Sequence, residues 1–308
     1  MTLQQLEYIV ALHRYGHFAK AAEHCGVTQP TLSSMIQKLE EELGVKIFSR
    51  KQQPIQPTRE GQALILQAKQ VLLSARHLRE TAEEEKKTLR GPFVIGVLPT
   101  IAPYLVPRFL PQLLNKYPEM DLRVTEMKTE EIKKALAQGD LDAGILARID
   151  GLEEMQLHTL FHEQFYAYVA QNEPLASRTT IRNADLKGQY LWLLDEGHCF
   201  RDQLMKFCEL KSAARSKRAY KLGSIETFMR IVENDKGITF IPELALHQLT
   251  PTQRGLVRPF AIPVPTREIV LATAPHFIRR SLLDLLMNHI RNCIPQEMLQ
   301  LRRTQQSV

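Results

Sequence analysis

The 308-residue sequence predicts an α/β protein: an all-helical domain over residues 1–58, one long helix over 59–90, and a two-lobed α/β region over 91–302. Three observations carry that reading. Short amphipathic helices are punctuated by glycines up to residue 58, a helical pattern then runs unbroken to Gly91-Pro92, and beyond it short apolar strands alternate with helices. The length alone calls for two or three domains.

Residues 18–25, with Ala21-Ala22, form a short helix that Gly26 ends in a left-handed conformation. Thr28 is an N-cap, Pro30 costs little in a first turn, and a second helix runs to Leu43 before Gly44. Leu32, Ile36, Leu39 and Leu43 are spaced as one buried stripe. The opposite side shows Gln29, Pro30, Thr31, Ser33, Ser34, Gln37 and Lys38: small hydrogen-bonding groups and one cation, with no acid until Glu40. Such a face suits a helix that enters the major groove of double-stranded DNA. The turn-rich segment 48–58, with Arg50 and Lys51, suits a wing against the phosphate backbone. From periodicity alone, a helical hairpin with a polar outer face stands equally well.

In the long helix Leu64, Val71 and Leu78 recur every seven residues, and Gly61, Ala68, Ala75 and Ala82 fill the other seam position. That is a coiled-coil repeat whose small residues let two helices approach closely. Thirty-two helical residues span ~48 Å. The alternative is a helix packed on its own domain.

Beyond residue 91, segments 93–98, 122–127, 143–147, 165–170, 190–194, 238–241 and 268–272 read as strands. Between them 104–117, 130–138, 225–233 and 278–291 read as helices. The alternation predicts mostly parallel sheets in two lobes, about 92–162 with 268–302 and about 163–267. Chain crossings fall near Phe161 and Arg267, with a ligand cleft between the lobes. The tail 302–308 is expected to fray.

Apolar residues make up 44% and charged residues 24%, the balance of a globular protein. No run of 18 apolar residues exists, which excludes a helical membrane span. Acidic Glu7 sits where a signal peptide needs a basic region, so a cytoplasmic location with reduced thiols is expected. A net charge of +6 and a pI near 9.1 permit nucleic-acid binding.

Four cysteines are too few for a disulfide scaffold. In LLDEGHCFRDQLMKFC, residues 193–208, Gly197 allows a tight turn and Cys199 sits near a helix N-terminus between His198 and Arg201. Dipole and charge there favour thiolate, the form reactive toward peroxide. Cys208 lies nine residues on. If the segment is helical the thiols are ~13.5 Å apart along the axis and face opposite ways, so pairing requires unwinding. A small buried hydrophobe is the plainer role of a cysteine, and the one expected of Cys25 and Cys293. A zinc site on His198, Cys199 and Cys208 lacks an evident fourth ligand, so no metal or cofactor is expected.

The string AKAAEHCGVTQPTLSSMIQKLEEELGVKIFSR over 19–50 resembles the winged helix-turn-helix of LysR-type transcriptional regulators, and the likeness covers residues 1–61. His17 departs from it, where that family more often has Ser. The resemblance implies a dimerisation role for the long helix and a regulatory region like periplasmic binding proteins; Gln138-Gly139-Asp140-Leu141-Asp142 fits that region. Gly197-His198-Cys199, Arg201-Asp202-Gln203, Phe207-Cys208, Lys128-Thr129, LPTIAPYLVP at 98–107 and SIETFMRIVENDKGITFIPELAL at 224–246 resemble the peroxide-sensing branch of the family. That likeness implies a regulator of oxidative-stress genes and not an enzyme. It further implies a peroxidatic Cys199 and a resolving Cys208 in a reversible disulfide, with Thr100, Thr129, His198 and Arg267 at the peroxide. The implied partners are operator DNA, a homodimer or homotetramer, hydrogen peroxide as signal, and RNA polymerase. The segment 209–218 departs from the branch, being more basic. Two other readings stand beside it: a small metabolite in the cleft with incidental cysteines, and a thiol peroxidase.

Overall fold

A computed structural model describes residues 1–49, 53–85, 91–208 and 224–308. Arg50 and the segment 209–218 therefore lie outside the described residues. The chain divides into two compact units, Met1–Lys87 and Thr88–Val308.

The first unit holds α1 (Leu3–Tyr15), α2 (Phe18–His24), α3 (Gln29–Leu43), the two-residue strands β1 (Phe48–Ser49) and β2 (Gln56–Pro57), and α4 (Arg59–Glu85). Leu6, Ile9 and Leu12 of α1 pack with Ala21-Ala22 and with Leu32, Ile36 and Leu39 of α3 into one core. Thr28 caps α3, its hydroxyl accepting from the Thr31 amide at 3.4 Å. His17 precedes α2 with no side-chain capping bond, the service a Ser there would supply. β1 and β2 pair antiparallel as the wing. Glu40 turns inward and fastens it: one carboxylate oxygen accepts from the amides of Ile47 (2.8 Å) and Phe48 (3.2 Å), the other from Lys46 Nζ (3.0 Å).

Two expectations shift here. Leu43, placed in the buried stripe, is exposed, because α3 outruns the core at its last turn. The small seam positions Gly61 and Ala68 of α4 pack inward on this unit's own core, while Leu66, Val71 and Leu78 stand exposed. Gly61 is the tightest point: an added Cβ would lie 2.0 Å from the Ile47 carbonyl oxygen.

The second unit is built on one eight-stranded sheet in the order β4-β3-β5-β9-β6-β7, with β10 on β9 and β8 on β6. β3 (Pro92–Val97), β4 (Asp121–Glu126) and β5 (Ala143–Ala147) are parallel and carry the first-lobe helices α5 (Ala102–Lys116) and α6 (Thr129–Gln138). β6 (Gln156–Val169) and β9 (Val264–Thr273) run antiparallel through both lobes, with a bulge between Thr159 and Phe161. β7 (Ile238–Pro242) and β8 (Val257–Pro259) extend the second lobe beside α7 (Cys199–Phe207) and α8 (Ile225–Asn234). The short α9 (Pro251–Arg254) and then α10 (Arg280–Asn292) follow, and β10 (Gln305–Ser307) closes the order.

The sheet is thus mixed rather than mostly parallel: β5–β9, β9–β6, β6–β7 and β6–β8 are all antiparallel. Residues 190–194 form no strand and make a single bridge, Leu191 to Ile238. The tail is not frayed. β10 pairs parallel with β9, Gln305 opposite Val264 through Ser307 opposite Thr266.

Gly61→Ala should destabilise the amino-terminal unit by about 1–3 kcal/mol, since the added methyl meets backbone that cannot move freely. Urea unfolding of the full chain reads this as an earlier first transition; an unchanged midpoint would show that α4 and the wing strand separate easily.

Candidate functional site

Parallel strands deliver ligand-binding groups at their carboxyl ends. Here β3 leads to Thr100 and β4 to Thr129, the first residue of α6. Facing them from the second lobe is Cys199, the first residue of α7. Gly197, at φ 86°, makes the turn that sets α7 in place, a conformation L side chains rarely adopt.

The fourth group comes from the crossover strand. Arg267 on β9 is fully buried and lies opposite Glu163 on β6. Its Nε and one terminal nitrogen donate to Glu163 Oε2 at 2.9 and 2.7 Å. It also donates to the Thr100 hydroxyl at 3.1 Å and to the Thr100 carbonyl at 3.0 Å. The guanidinium stacks over the rings of Phe200 (4.8 Å) and Phe165 (5.8 Å). A charge with no access to water needs such full compensation, and Arg267 receives it from both lobes.

Burial pushes the Cys199 thiol above the ordinary cysteine range; Arg267, the Thr129 hydroxyl and the Phe200 amide pull against it, and Asp202 adds to the rise. The expected thiolate-favouring pair is corrected on both sides. Burial lowers the His198 pKa, with Lys128 acting the same way, so its imidazole is neutral at pH 7. Arg201 leans toward Glu196 at 3.8 Å. The cation that serves the sulfur is Arg267, 68 positions away in sequence. The Thr129 hydroxyl is itself buried and makes no well-formed hydrogen bond; the Cys199 sulfur is the group it faces.

Cys208 caps the far end of α7, buried, with its sulfur 3.9 Å from Asn183 Oδ1. Burial pushes its thiol up to about 12. All four cysteines are free. A cavity of about 790 Å³ opens beside Cys199, lined by Arg148, Asp202, Gln203, Lys206 and Val308 among others.

The structure therefore gathers Thr100, Thr129, Cys199 and Arg267, sets the buried His198 next to them, and holds Cys208 away. Glu163 and Phe200, which fix Arg267, escaped sequence reasoning: Glu163 meets it through a sheet register and Phe200 through helix packing, neither of which a local pattern reveals. On α3, Gln29, Pro30, Thr31, Ser34, Gln37 and Lys38 are exposed and Ser33 is half-buried. Among the described residues no cluster of three His, Cys, Asp or Glu could hold a metal ion, and no helix is long and apolar enough to cross a membrane.

Residues 3–62 match the model of the bacterial regulatory helix-turn-helix proteins of the lysR family, and residues 86–293 match the LysR substrate binding domain. The hydrogen peroxide-inducible genes activator of Dickeya chrysanthemi is 35% identical over 291 residues, 94% of this chain and 95% of that protein. The DNA-binding transcriptional dual regulator OxyR of Escherichia coli K12 is 36% identical over the same shares. A full-length OxyR variant from Pseudomonas aeruginosa superposes with a TM-score of 0.77 at 36% identity, covering 96% of this chain and 99% of that one.

Thiolate is the nucleophilic form, and the Cys199 pKa lies above the ordinary range. Its alkylation by iodoacetamide, read by mass spectrometry, should therefore quicken about tenfold per pH unit between pH 6 and 8. A flat profile would mark a thiol already ionised. Thr129→Val, which keeps the shape and removes the donor, should slow the reaction at pH 7 about fivefold.

Proposed function

We propose that this chain, which belongs to the LysR family of bacterial transcriptional regulators and is a peroxide-sensing DNA-binding regulator, senses through a reversible Cys199–Cys208 disulfide. One observation carries the residue assignment: the buried Cys199 thiol faces the otherwise unpartnered Thr129 hydroxyl in the field of Arg267, with a second thiol at the other end of the same helix.

In this reading Thr100, Thr129, His198 and Arg267 bind hydrogen peroxide at the sulfur. The Arg267 charge and the Thr129 hydroxyl favour the thiolate once the thiol gives up its proton. The thiolate attacks one peroxide oxygen; a sulfur–oxygen bond forms, the O–O bond breaks, and the hydroxide released gains a proton to become water. Cys208, losing its proton, then attacks the sulfenic sulfur and expels a second water. Two thiols are oxidised by two electrons while one peroxide is reduced to two waters. The oxidised chain stays in the disulfide form until an external reductant acts.

Gln29, Pro30, Thr31, Ser33, Ser34, Gln37 and Lys38 read the operator from the recognition helix α3, and Arg50 contacts the backbone from the wing. The exposed Leu66, Val71 and Leu78 of α4 support pairing with a second copy, as dimer or tetramer. RNA polymerase is the partner through which activation of oxidative-stress genes would pass, in the cytoplasm.

One equivalent of hydrogen peroxide should remove two thiols per chain, at Cys199 and Cys208. Cys199→Ser should abolish the response, and Cys208→Ser should stop at sulfenic acid. No thiol loss would favour a metabolite in the 790 Å³ cavity instead, and sustained consumption a peroxidase. On operator DNA, Gln29→Ala should relax sequence preference. Arg50→Ala should weaken binding to every sequence and lower the salt slope by about one. An unchanged slope would remove Arg50 from the phosphate contacts.

A further inference from the structure

We infer that β10 is a strap on the redox helix and that Gln203 is the positioning residue it grips, holding α7 in its helical, reduced form until Cys208 must reach Cys199. The inference rests on the disulfide reading above.

Gln203 lies four residues after Cys199, so the two side chains stand one above the other on one face of α7. It is buried, and its Nε2 donates to the Val308 backbone oxygen at 2.8 Å and to the Arg148 carbonyl at 3.4 Å. The strap is fastened in turn to β9 immediately before Arg267. The Val308 amide donates to the Thr266 carbonyl at 3.1 Å, the Val264 amide to the Thr304 carbonyl at 2.9 Å, and Gln305–Ser307 run alongside in parallel register. Ser307, Val308 and Gln203 border the same cavity as Cys199. The other end of α7 is held separately, by Asn183 Nδ2 donating to the Phe207 carbonyl at 2.9 Å.

Unwinding α7 turns Gln203 away from Val308, so the bond to the strap must break before the two sulfurs meet. A three-residue edge strand is the weak partner in that arrangement. Its grip is thus set to restrain the helix at rest without preventing release, and it acts on the second chemical step, disulfide closure with loss of water, rather than on the first attack by the thiolate on peroxide. Arg148, the other partner of Gln203, sits at the end of β5 and ties the same side chain to the first lobe.

Two variants test this in the full-length protein: a chain shortened after Thr304, and Gln203→Met, which keeps the volume and removes the amide. Sulfenic acid formation is timed by dimedone trapping in a Cys208→Ser background, and disulfide closure by quenched-flow mass spectrometry with both cysteines present. The expected result is disulfide closure about fivefold faster in both variants, the loss of roughly one hydrogen bond. Sulfenic acid formation in Gln203→Met should stay within about twofold of the parent, because the grip is not on the reacting sulfur. Closure at the parent rate in both variants would overturn the strap. Equal acceleration of both steps would also overturn it, reducing β10 to a cover over the cavity. Absence of sulfenic acid in the Cys208→Ser protein with Gln203 and β10 intact would instead bring down the disulfide reading, and the strap with it.

Discussion

Nine residue steps of α-helix stand between Cys199 and Cys208, and at 1.5 Å per residue they hold the Cα atoms ~13.5 Å apart, about twice the reach of a disulfide. The rest of the regulatory unit is arranged around that separation. The first cysteine begins the helix, buried under the Arg267 field; the second ends it, buried beside Asn183. Joining them costs the helix, so chemistry at one sulfur becomes a change in backbone. A disulfide between residues already in contact would carry no such consequence.

The site works by opposing burial against a few well-placed dipoles and one charge. Burial, with a smaller push from Asp202, raises the Cys199 thiol and protects it from indiscriminate oxidation. Arg267, Thr129 and the Phe200 amide favour the negative charge where it forms. Arg267 can serve because its own desolvation is met by Glu163, Thr100 and two aromatic rings. That network binds Thr100 of the first lobe, the crossover strands β6 and β9, and Phe200 of α7 into one unit. Removing Glu163 alone would leave a buried unpaired cation, which costs roughly 3–5 kcal/mol.

Much of the helical unit was legible because its signals are local. Thr28 as cap, Pro30 in the first turn and the spacing of Leu32, Ile36 and Leu39 each act within a few residues. What periodicity cannot say is which surface an apolar stripe meets: Gly61 and Ala68 face their own domain, and Leu43 faces none. In the regulatory unit the parallel strands were readable as apolar runs, but β6 and β9 pair antiparallel across more than 100 positions. Thr100, Thr129 and Arg267 entered through family resemblance, not through any pattern of their own. The thiol shows the limit most clearly. Its neighbours in sequence, His198 and Arg201, suggested a depressed pKa, whereas burial, invisible in sequence, reverses the sign. The polar stretch RRTQQSV reads as a loose end because backbone pairing leaves no mark in side-chain composition.

Helix melting on oxidation is the step that couples the sulfur chemistry to the backbone, and amide hydrogen exchange over residues 199–208 measures it directly. The reduced protein should protect amides from residue 202 to 208, the ones the α7 hydrogen bonds cover. After one equivalent of peroxide, with the Cys199–Cys208 disulfide verified by mass spectrometry, that protection should collapse while β6 and β9 keep theirs. Equal protection of α7 in both states, with the disulfide present, would contradict the claim that this helix must unwind to close the bond.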